Sequence, residues 1–206
     1  MKKIEQAAAW LKKNYQLFRC PYCASAFRQP ETKSLICQQG HSFDLSKKGT
    51  LYLLKKSYQT NYDDPALWQS RRKLLQAGLF TPIFAKIKDL LPTSSSRILD
   101  AGCGEGSALA YFAAERKKND TLVGFDLAKS ALNLATQLDS AAFFCEADLA
   151  NLPFQTASFD AICDIFTPSA YQEFERVLVP GGRLVKVIPG QAYLAELRHL
   201  LYAENS

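Results

Sequence analysis

The ten residues RILDAGCGEG, at positions 97–106, carry the clearest structural signal in this chain of 206 residues. Their apolar beginning is typical of a short buried strand. Three glycines at alternate positions then let the backbone turn sharply and approach a ligand closely. A run of helix-forming residues, Ser107 to Glu115, comes next. The pattern therefore predicts a strand, a tight glycine turn and a helix.

A second apolar run ends in the carboxylate of Asp126, 22 residues after Gly104. A glycine turn after one strand and an acid after the next is how a doubly wound sheet holds a ribose-bearing cofactor. The glycine spacing is G-x-G-x-G, not the G-x-G-x-x-G of dinucleotide-binding proteins, so no diphosphate is required. We expect Asp126 to bind the ribose and Asp148, after the third predicted strand, to accept from the adenine amino group.

Strand and helix patterns alternate from residue 97 onward, which predicts an α/β fold with a parallel sheet and right-handed crossovers. The predicted strands are 97–102, 121–126, 142–146, 159–165 and 182–188. The predicted helices are 4–17, one that begins at Pro65, 81–91, 106–118, 128–139, 168–178 and 191–202.

Three of the six cysteines and one of the two histidines form a spaced set, C-x2-C-x13-C-x3-H. Two short ligand pairs separated by a loop of hairpin length can converge on one tetrahedral ion. The surrounding segment has too few apolar residues to bury a core of its own, and metal ligation would supply the missing free energy. The predicted zinc ligands are Cys20, Cys23, Cys37 and His41.

Charge divides the chain unequally, because residues 1–60 hold 11 Lys and Arg against 3 Asp and Glu, a net charge of +8. Such a segment favours a polyanionic partner; the alternative is a solvated lysine-rich surface. The N-terminus lacks the apolar core of a secretory signal, and no apolar run has the length of a membrane helix. We therefore expect a cytoplasmic protein without a membrane partner.

The predicted organisation has four parts. They are an N-terminal helix (1–17), a zinc-binding RNA-recognition module (18–56), a helical linker (57–96) and a cofactor-binding domain (97–206). Within them, the basic and apolar run 47–56 is expected to dock the module onto the main domain, and 57–64 is expected to be a loop.

The sequence L-D-x-G-C-G-E-G resembles the first motif of class I S-adenosylmethionine-dependent methyltransferases. The zinc module continues into H-x-F-D and K-x-G-x-x-x-L-L, and then into R-R-x-L-L-x-A-G-x-F. Together these motifs resemble the RlmA-type 23S rRNA (guanine-N1)-methyltransferases over about 18–205. The resemblance implies a zinc domain that recognises an rRNA hairpin, a Rossmann-like domain that methylates a guanine in the hairpin 35 loop, and a homodimer.

The motifs place specific roles on this chain. The cofactor-binding residues implied are Asp100, Gly102, Gly104, Glu105, Gly106, Asp126, Asp148 and Leu149. The candidate phosphate contacts are Lys47, Lys48, Lys55, Lys56, Arg71 and Arg72, which would position RNA without selecting sequence. Guanine N1 must lose a proton to react, and Asp164, at the end of the fourth predicted strand, is the candidate base; Phe166 is a candidate for stacking on the guanine.

Class I methyltransferases normally add two strands after the fifth, and the sequence shows no pattern for them. Either the chain is a fragment, or another segment is expected to cover that edge of the sheet. Without such a segment, the strand Gly182 to Ile188 is expected to be an exposed edge that favours self-association and weakens activity. Two other functions compete with an rRNA methyltransferase. One is an inactive, zinc-containing RNA-binding fragment; the other is a small-molecule methyltransferase, which would not need the basic N-terminal region.

Overall fold

The computed structural model of this chain describes residues 1–56, 62–192, 194–195 and 199. Its elements are α1 (Lys3–Asn14), β1 (Ser34–Ile36), β2 (Ser42–Asp44), β3 (Leu51–Tyr52), α2 (Pro65–Gln76), α3 (Thr81–Leu90), β4 (Arg97–Ala101), α4 (Ser107–Arg116), β5 (Thr121–Asp126), α5 (Lys129–Ala135), β6 (Phe143–Glu146), β7 (Phe159–Ile165), α6 (Tyr171–Val177) and β8 (Leu178–Val187). Short 3-10 turns cover Tyr15–Leu17 and Leu149–Asn151.

A parallel sheet of six strands, in the order β3-β6-β5-β4-β7-β8, organises the described residues. The five predicted strands are all present, and β4, which precedes the glycine turn, lies in the middle. The strand order reverses beside β4, because β5 and β7 flank it on opposite sides. This reversal opens a crevice at the carboxyl ends of the strands, the usual ligand position in such sheets. The predicted class I α/β fold is confirmed.

The strand β3 extends the sheet in a way that the sequence did not indicate. It belongs to the N-terminal part of the chain, yet Leu51 and Tyr52 pair in parallel with Cys145 and Glu146 of β6. The Leu53 N–H also donates to the Glu146 carbonyl at 2.9 Å. The segment that contains the zinc ligands is therefore joined to the sheet by backbone hydrogen bonds.

The two faces of the sheet are covered by different parts of the chain. One face packs against α1, the zinc-ligand segment and α6, with Trp10 of α1 stacked on Phe143 at 4.5 Å between ring centroids. The side chains of Phe18 and Phe154 lie fully buried in the same cluster. The other face packs against α3 and α4 through Phe84, Ile87 and Phe112, among others. One apolar core thus continues from the N-terminal helix into the sheet.

The edge strand β8 has one strand neighbour, β7, within the described part of the chain. It begins at Leu178, four residues before the prediction, because Leu178 pairs with Phe159 and the register resumes at Arg183 opposite Ala161 after the Pro-Gly-Gly turn. Most of the predicted helix 191–202 and most of the predicted loop 57–64 lie outside the described residues. Among the described residues, no helix is long and apolar enough to cross a membrane.

Candidate active site and metal centre

The four predicted zinc ligands converge at one point. The Sγ atoms of the three cysteines and one ring nitrogen of His41 all lie within 4.8 Å of one another. The Cys23 and Cys37 sulfurs are 3.7 Å apart, and the Cys37 sulfur is 3.4 Å from His41 Nδ1. A tetrahedral zinc ion with Zn–S distances of about 2.3 Å needs ligand separations of about 3.5–3.8 Å. The donor set and its spacing therefore fit zinc.

Backbone turns orient these ligands, and two of them, Cys20 and Cys37, are buried in the apolar core. The His41 N–H donates to the Cys37 sulfur at 3.2 Å, and the Gly40 N–H donates to the Cys37 carbonyl. A matching turn at the first pair has the Ala24 N–H donating to the Cys20 carbonyl at 2.8 Å. N–H groups directed at sulfur favour the thiolate form, which is the form that binds a metal.

The predicted cofactor crevice forms where β4 meets α4. Gly102, Gly104 and Gly106 all have left-handed backbone angles, with φ of +67°, +54° and +86°. A Cβ on Gly102 would lie 2.3 Å from the Thr167 hydroxyl oxygen, and one on Gly104 would lie 2.9 Å from the Trp68 ring. Glycine is thus required by both conformation and space at this turn.

Asp126 fastens the glycine turn to the neighbouring strand. Its Oδ2 accepts from the Gly104 N–H and its Oδ1 accepts from the Ala128 N–H, both at 2.8 Å. Burial raises the pKa of Asp126, and the two backbone N–H groups oppose that shift. Each oxygen retains a further lone pair, and the carboxylate lines the crevice, as a ribose-binding residue must.

The carboxyl group of Asp100 contributes a buried oxygen atom to the crevice. Its Oδ2 is buried and has no hydrogen-bond partner among the described residues. Burial, with the nearby carboxylates of Asp126, Asp164 and Glu105, raises the pKa of Asp100 to about 8. A buried acceptor among acids suits a cationic ligand. These residues therefore fit S-adenosylmethionine, whose ammonium Asp100 would accept from and whose ribose Asp126 would hold.

The helix α2 covers this crevice, which the sequence did not indicate. Trp68 is 2% exposed and lies on Gly104, while its Nε1–H donates to the Tyr62 carbonyl at 2.8 Å. The Arg71 guanidinium stacks over the Trp68 ring at 4.7 Å. The tryptophan three residues after Pro65 was a signal in the sequence, but no neighbouring residue indicates where in the fold this helix packs.

Five of the eight predicted cofactor residues line the crevice: Asp100, Gly102, Gly104, Glu105 and Asp126. Gly106 instead begins α4 and packs against Ala135 and Phe144. Asp148 and Leu149 lie outside the crevice lining, although they follow β6 at the same edge of the sheet. The Asp148 Oδ1 accepts from the Ala150 N–H at 2.9 Å and thereby caps the short 3-10 turn.

The six predicted RNA contacts do not form one patch. Lys47 and Lys48 are exposed before β3, at the amino edge of the sheet, whereas Lys55 and Lys56 are exposed after it, at the carboxyl edge where the crevice opens. Arg71 faces the crevice. Arg72 is a correction to the prediction: its side chain is 11% exposed and binds Glu105, so it is not presented to a phosphate.

The predicted base Asp164 lies below the surface. It is 0% exposed and does not line the crevice; its Oδ2 accepts from Lys186 Nζ at 2.8 Å and from the Ser169 hydroxyl. The Lys186 ammonium also donates to the Thr167 carbonyl. This arrangement holds the turn 166–169 and does not present the carboxylate to a substrate. Phe166, two residues after Asp164, does line the crevice and has a left-handed φ of +58°.

Comparisons with known proteins identify two domains in this chain. A profile described as "Methyltransferase domain" matches residues 98–182, and one described as "RlmA, N-terminal", a zinc ribbon, matches 18–56. The Bacillus subtilis protein YxjB, whose name gives a 23S rRNA (guanine-N1)-methyltransferase, is 37% identical over 201 residues, which cover 93% of this chain and 71% of that protein.

Two further matches extend the comparison. A Streptomyces fradiae protein named 23S rRNA (guanine(748)-N1)-methyltransferase is 29% identical, with 91% of this chain and 69% of that protein covered. The solved structure of a Methanococcus maripaludis protein, described as an S-adenosyl-L-methionine-dependent methyltransferase, has a TM-score of 0.53 at 15% identity and covers 73% of this chain and 76% of its own. At that identity the structure supports the fold alone. The chain therefore combines a methyltransferase domain with a zinc ribbon.

Proposed function

This chain belongs to the RlmA-like family of 23S rRNA (guanine-N1)-methyltransferases, and we propose that it methylates N1 of a guanine in a 23S rRNA hairpin loop, in the region of hairpin 35. The proposal rests on one observation: a single sheet connects the zinc ribbon to the cofactor crevice. The strand β3 joins the zinc ribbon to β6, and β6 follows β5, which ends in the crevice residue Asp126. An rRNA substrate also agrees with the predicted cytoplasmic location.

The crevice suits a positively charged methyl donor. S-adenosylmethionine, when bound, would supply a methyl group from its sulfonium: the nucleophile bonds to the methyl carbon as the S–CH3 bond breaks, and the neutral thioether is released. The lining includes the carboxyl groups of Asp100 and Asp126, while the charge of a third acid, Glu105, is balanced by Arg72. These carboxylates favour a cation in a site with little water, where opposite charges attract more strongly than in solvent. The chain's own contribution is to align the reacting atoms and to exclude water.

The turn after β7 is where the guanine would enter. Phe166, Ile165 and Thr167 line the crevice, and the left-handed φ of Phe166 marks a strained residue of the kind that clusters at functional sites. The Phe166 ring contacts Phe80 at 5.4 Å between centroids. We propose that Phe166 stacks on the extruded guanine, as aromatic side chains do with unstacked RNA bases.

Asp164 supports this turn from behind. A general base must come within about 2.6–3.2 Å of the proton that it removes, and a fully buried carboxylate paired with Lys186 is not so placed. We propose that Asp164 acts as a positioning residue, which keeps the Phe166 turn in register through Lys186 and Ser169. The guanine proton would then leave to solvent or to a group outside the described residues.

The basic residues at the carboxyl edge provide a path for RNA. Lys55 and Lys56 follow β3 at the edge where the crevice opens, and Tyr52 beside them is 43% exposed. Lysines neutralise phosphates and exposed aromatic rings stack on bases, so the two together suit a single-stranded RNA loop.

Methyl transfer to an unmodified 23S rRNA transcript tests the proposal. The chain is incubated with methyl-labelled S-adenosylmethionine, and the RNA is digested to nucleosides. We expect label in N1-methylguanosine, and none when the hairpin 35 loop guanines are replaced by adenine. Asp126→Ala is the matched variant and should remove the label. Label in another nucleoside, or cofactor binding without transfer to the RNA, would contradict the assignment.

A further inference from the structure

The crevice as the structure shows it is nearly filled by α2. Its free volume is about 80 Å³, whereas sites for small molecules usually measure about 300–1,000 Å³. The Trp68 ring lies on Gly104, at the position where the backbone of a glycine turn would approach a ligand. The cofactor therefore cannot enter while α2 keeps this position.

One ion pair fastens α2 to the glycine turn. Arg72 Nε donates to Glu105 Oε2 at 2.7 Å, and Arg72 Nη2 donates to the Glu105 carbonyl at 2.8 Å. Both side chains are largely buried, at 11% and 1% exposure. Glu105 Oε1 separately accepts from the Ser107 N–H at the start of α4. The same glutamate thus caps the helix behind the turn and holds the helix above it.

Away from this ion pair, α2 packs through Trp68 against Ala128 and Ala131 and buries little else. Trp68 is the one buried residue among the twelve of this helix, whereas α4 buries four of its ten. Leu67 and Leu74 of α2 are exposed. Gly78, with a φ of +88°, follows the helix and faces open space apart from one ordinary contact with Thr81. Elements with few buried contacts open at low free-energy cost. The pair of Arg72 and Glu105 is the ion pair that ties α2 to the glycine turn, whereas Asp63, just before the helix, accepts from the Ser130 N–H and holds its other end.

We propose that α2 is a lid on the cofactor crevice, that Arg72 and Glu105 are its latch, and that cofactor entry requires the latch to open. The inference rests on the proposed function, because it assigns S-adenosylmethionine to this crevice. The proposal assigns Arg71 and Arg72 to the cofactor crevice instead of to RNA binding. Arg71 and Trp68 form the inner surface of the lid, and Arg72 controls how often the lid opens.

Association kinetics of the cofactor test the lid without any RNA. The chain has two tryptophans, so Trp10→Phe leaves Trp68 as the single fluorescent reporter on α2. Stopped-flow mixing with S-adenosylhomocysteine then measures the association rate constant in this background. When a closed state excludes the ligand, the apparent rate scales with the fraction of open molecules. We expect Arg72→Gln and Glu105→Gln each to raise the association rate constant about tenfold, as loss of a charge-assisted pair implies.

Two features separate a latch from a general structural effect. The double variant should be no faster than either single variant, because both remove the same interaction. Arg97→Gln is the control: it removes an ion pair with Asp160 at the amino end of β4, away from the crevice, and should leave the rate unchanged. Without cofactor, Trp68 emission should shift to longer wavelength in the latch variants, and amides in 66–76 should exchange hydrogen faster.

Unchanged association rates and unchanged Trp68 emission in both single variants would overturn the lid. Rate increases that add in the double variant would also overturn it, since the two residues would then act separately. Failure of the parent protein to bind S-adenosylhomocysteine would contradict the proposed function and with it this assignment. The emission of the cofactor-free variants distinguishes these cases, because it reports whether Arg72 and Glu105 hold α2 closed.

Discussion

The zinc centre and the cofactor crevice are built in opposite ways. The zinc ligands come from two short turns within 22 residues, and local backbone hydrogen bonds orient them. The crevice gathers residues from β4, β5, α2 and the turn after β7, which lie far apart in sequence. The zinc centre adds metal ligation to the apolar packing of Cys20 and Cys37, whereas the crevice depends on packing and charge alone. A substitution at the zinc centre should therefore act through the metal content, whereas a substitution in the crevice should act through packing and charge.

Removal of a zinc ligand has the largest expected effect. Structural zinc contributes an apparent free energy of about 10–16 kcal/mol in small zinc-binding peptides. We expect Cys37→Ser to lose the metal and to unfold the ribbon, with a fall in melting temperature measured by calorimetry and loss of zinc measured by elemental analysis. Cys145→Ala, a buried thiol of β6 outside the centre, should keep one zinc per chain. Full zinc content in Cys37→Ser would contradict the ligand assignment.

Asp100 makes the crevice side sensitive to pH. Its folded pKa of about 8 lies above the ordinary value of 3.8, so the folded state holds a proton that the unfolded state releases. The contribution of Asp100 to stability is complete below about pH 4 and is lost as pH rises to about 8, by roughly 6 kcal/mol at most. Unfolding by urea across this range should show a flatter pH dependence in Asp100→Asn. Equal slopes in both proteins would contradict the assignment.

The buried pair of Asp164 and Lys186 tests whether Asp164 positions the turn. Lys186→Met leaves a buried carboxylate without its partner and should cost about 3–5 kcal/mol of stability. Lys186→Met/Asp164→Leu removes both charges and should recover most of that loss. If Asp164→Asn kept full stability but abolished methyl transfer with a changed pH profile, Asp164 would be a base and not a positioning residue.

Two glycines with positive φ, Gly104 in the crevice and Gly181 outside it, separate the effect of close packing from that of backbone strain. Gly104→Ala places a methyl group 2.9 Å from the Trp68 ring at a positive φ, whereas Gly181→Ala has a positive φ with nothing within 4 Å. Both should pay backbone strain of about 1–3 kcal/mol, seen in urea unfolding. Only Gly104→Ala should also weaken cofactor binding in calorimetric titration. Equal cofactor affinity in the two variants would show that the crevice does not need close backbone approach.

The sequence predicted what depends on local pattern. The strand positions, the glycine turn, the Asp126 carboxylate and the zinc spacing all follow from residues close together in the chain. The position of α2 does not, because the contact of Trp68 with Gly104 joins residues 36 positions apart. The pairing of β3 with β6 was equally hidden, since a strand of two residues has too little pattern to detect. We assigned Arg72 to RNA because the sequence alone does not distinguish an arginine that binds a phosphate from one that binds a buried glutamate.

We propose that RNA binds along the basic carboxyl edge of the sheet and that its guanine is methylated in the crevice. Single-turnover formation of N1-methylguanosine in an isolated hairpin 35 RNA tests it, with the parent chain compared with Lys55→Gln/Lys56→Gln. We predict that the double variant is slower at low RNA concentration and reaches the parent rate at saturating RNA, with equal affinity for S-adenosylhomocysteine. A parent chain that binds S-adenosylhomocysteine but forms no N1-methylguanosine would contradict the claim.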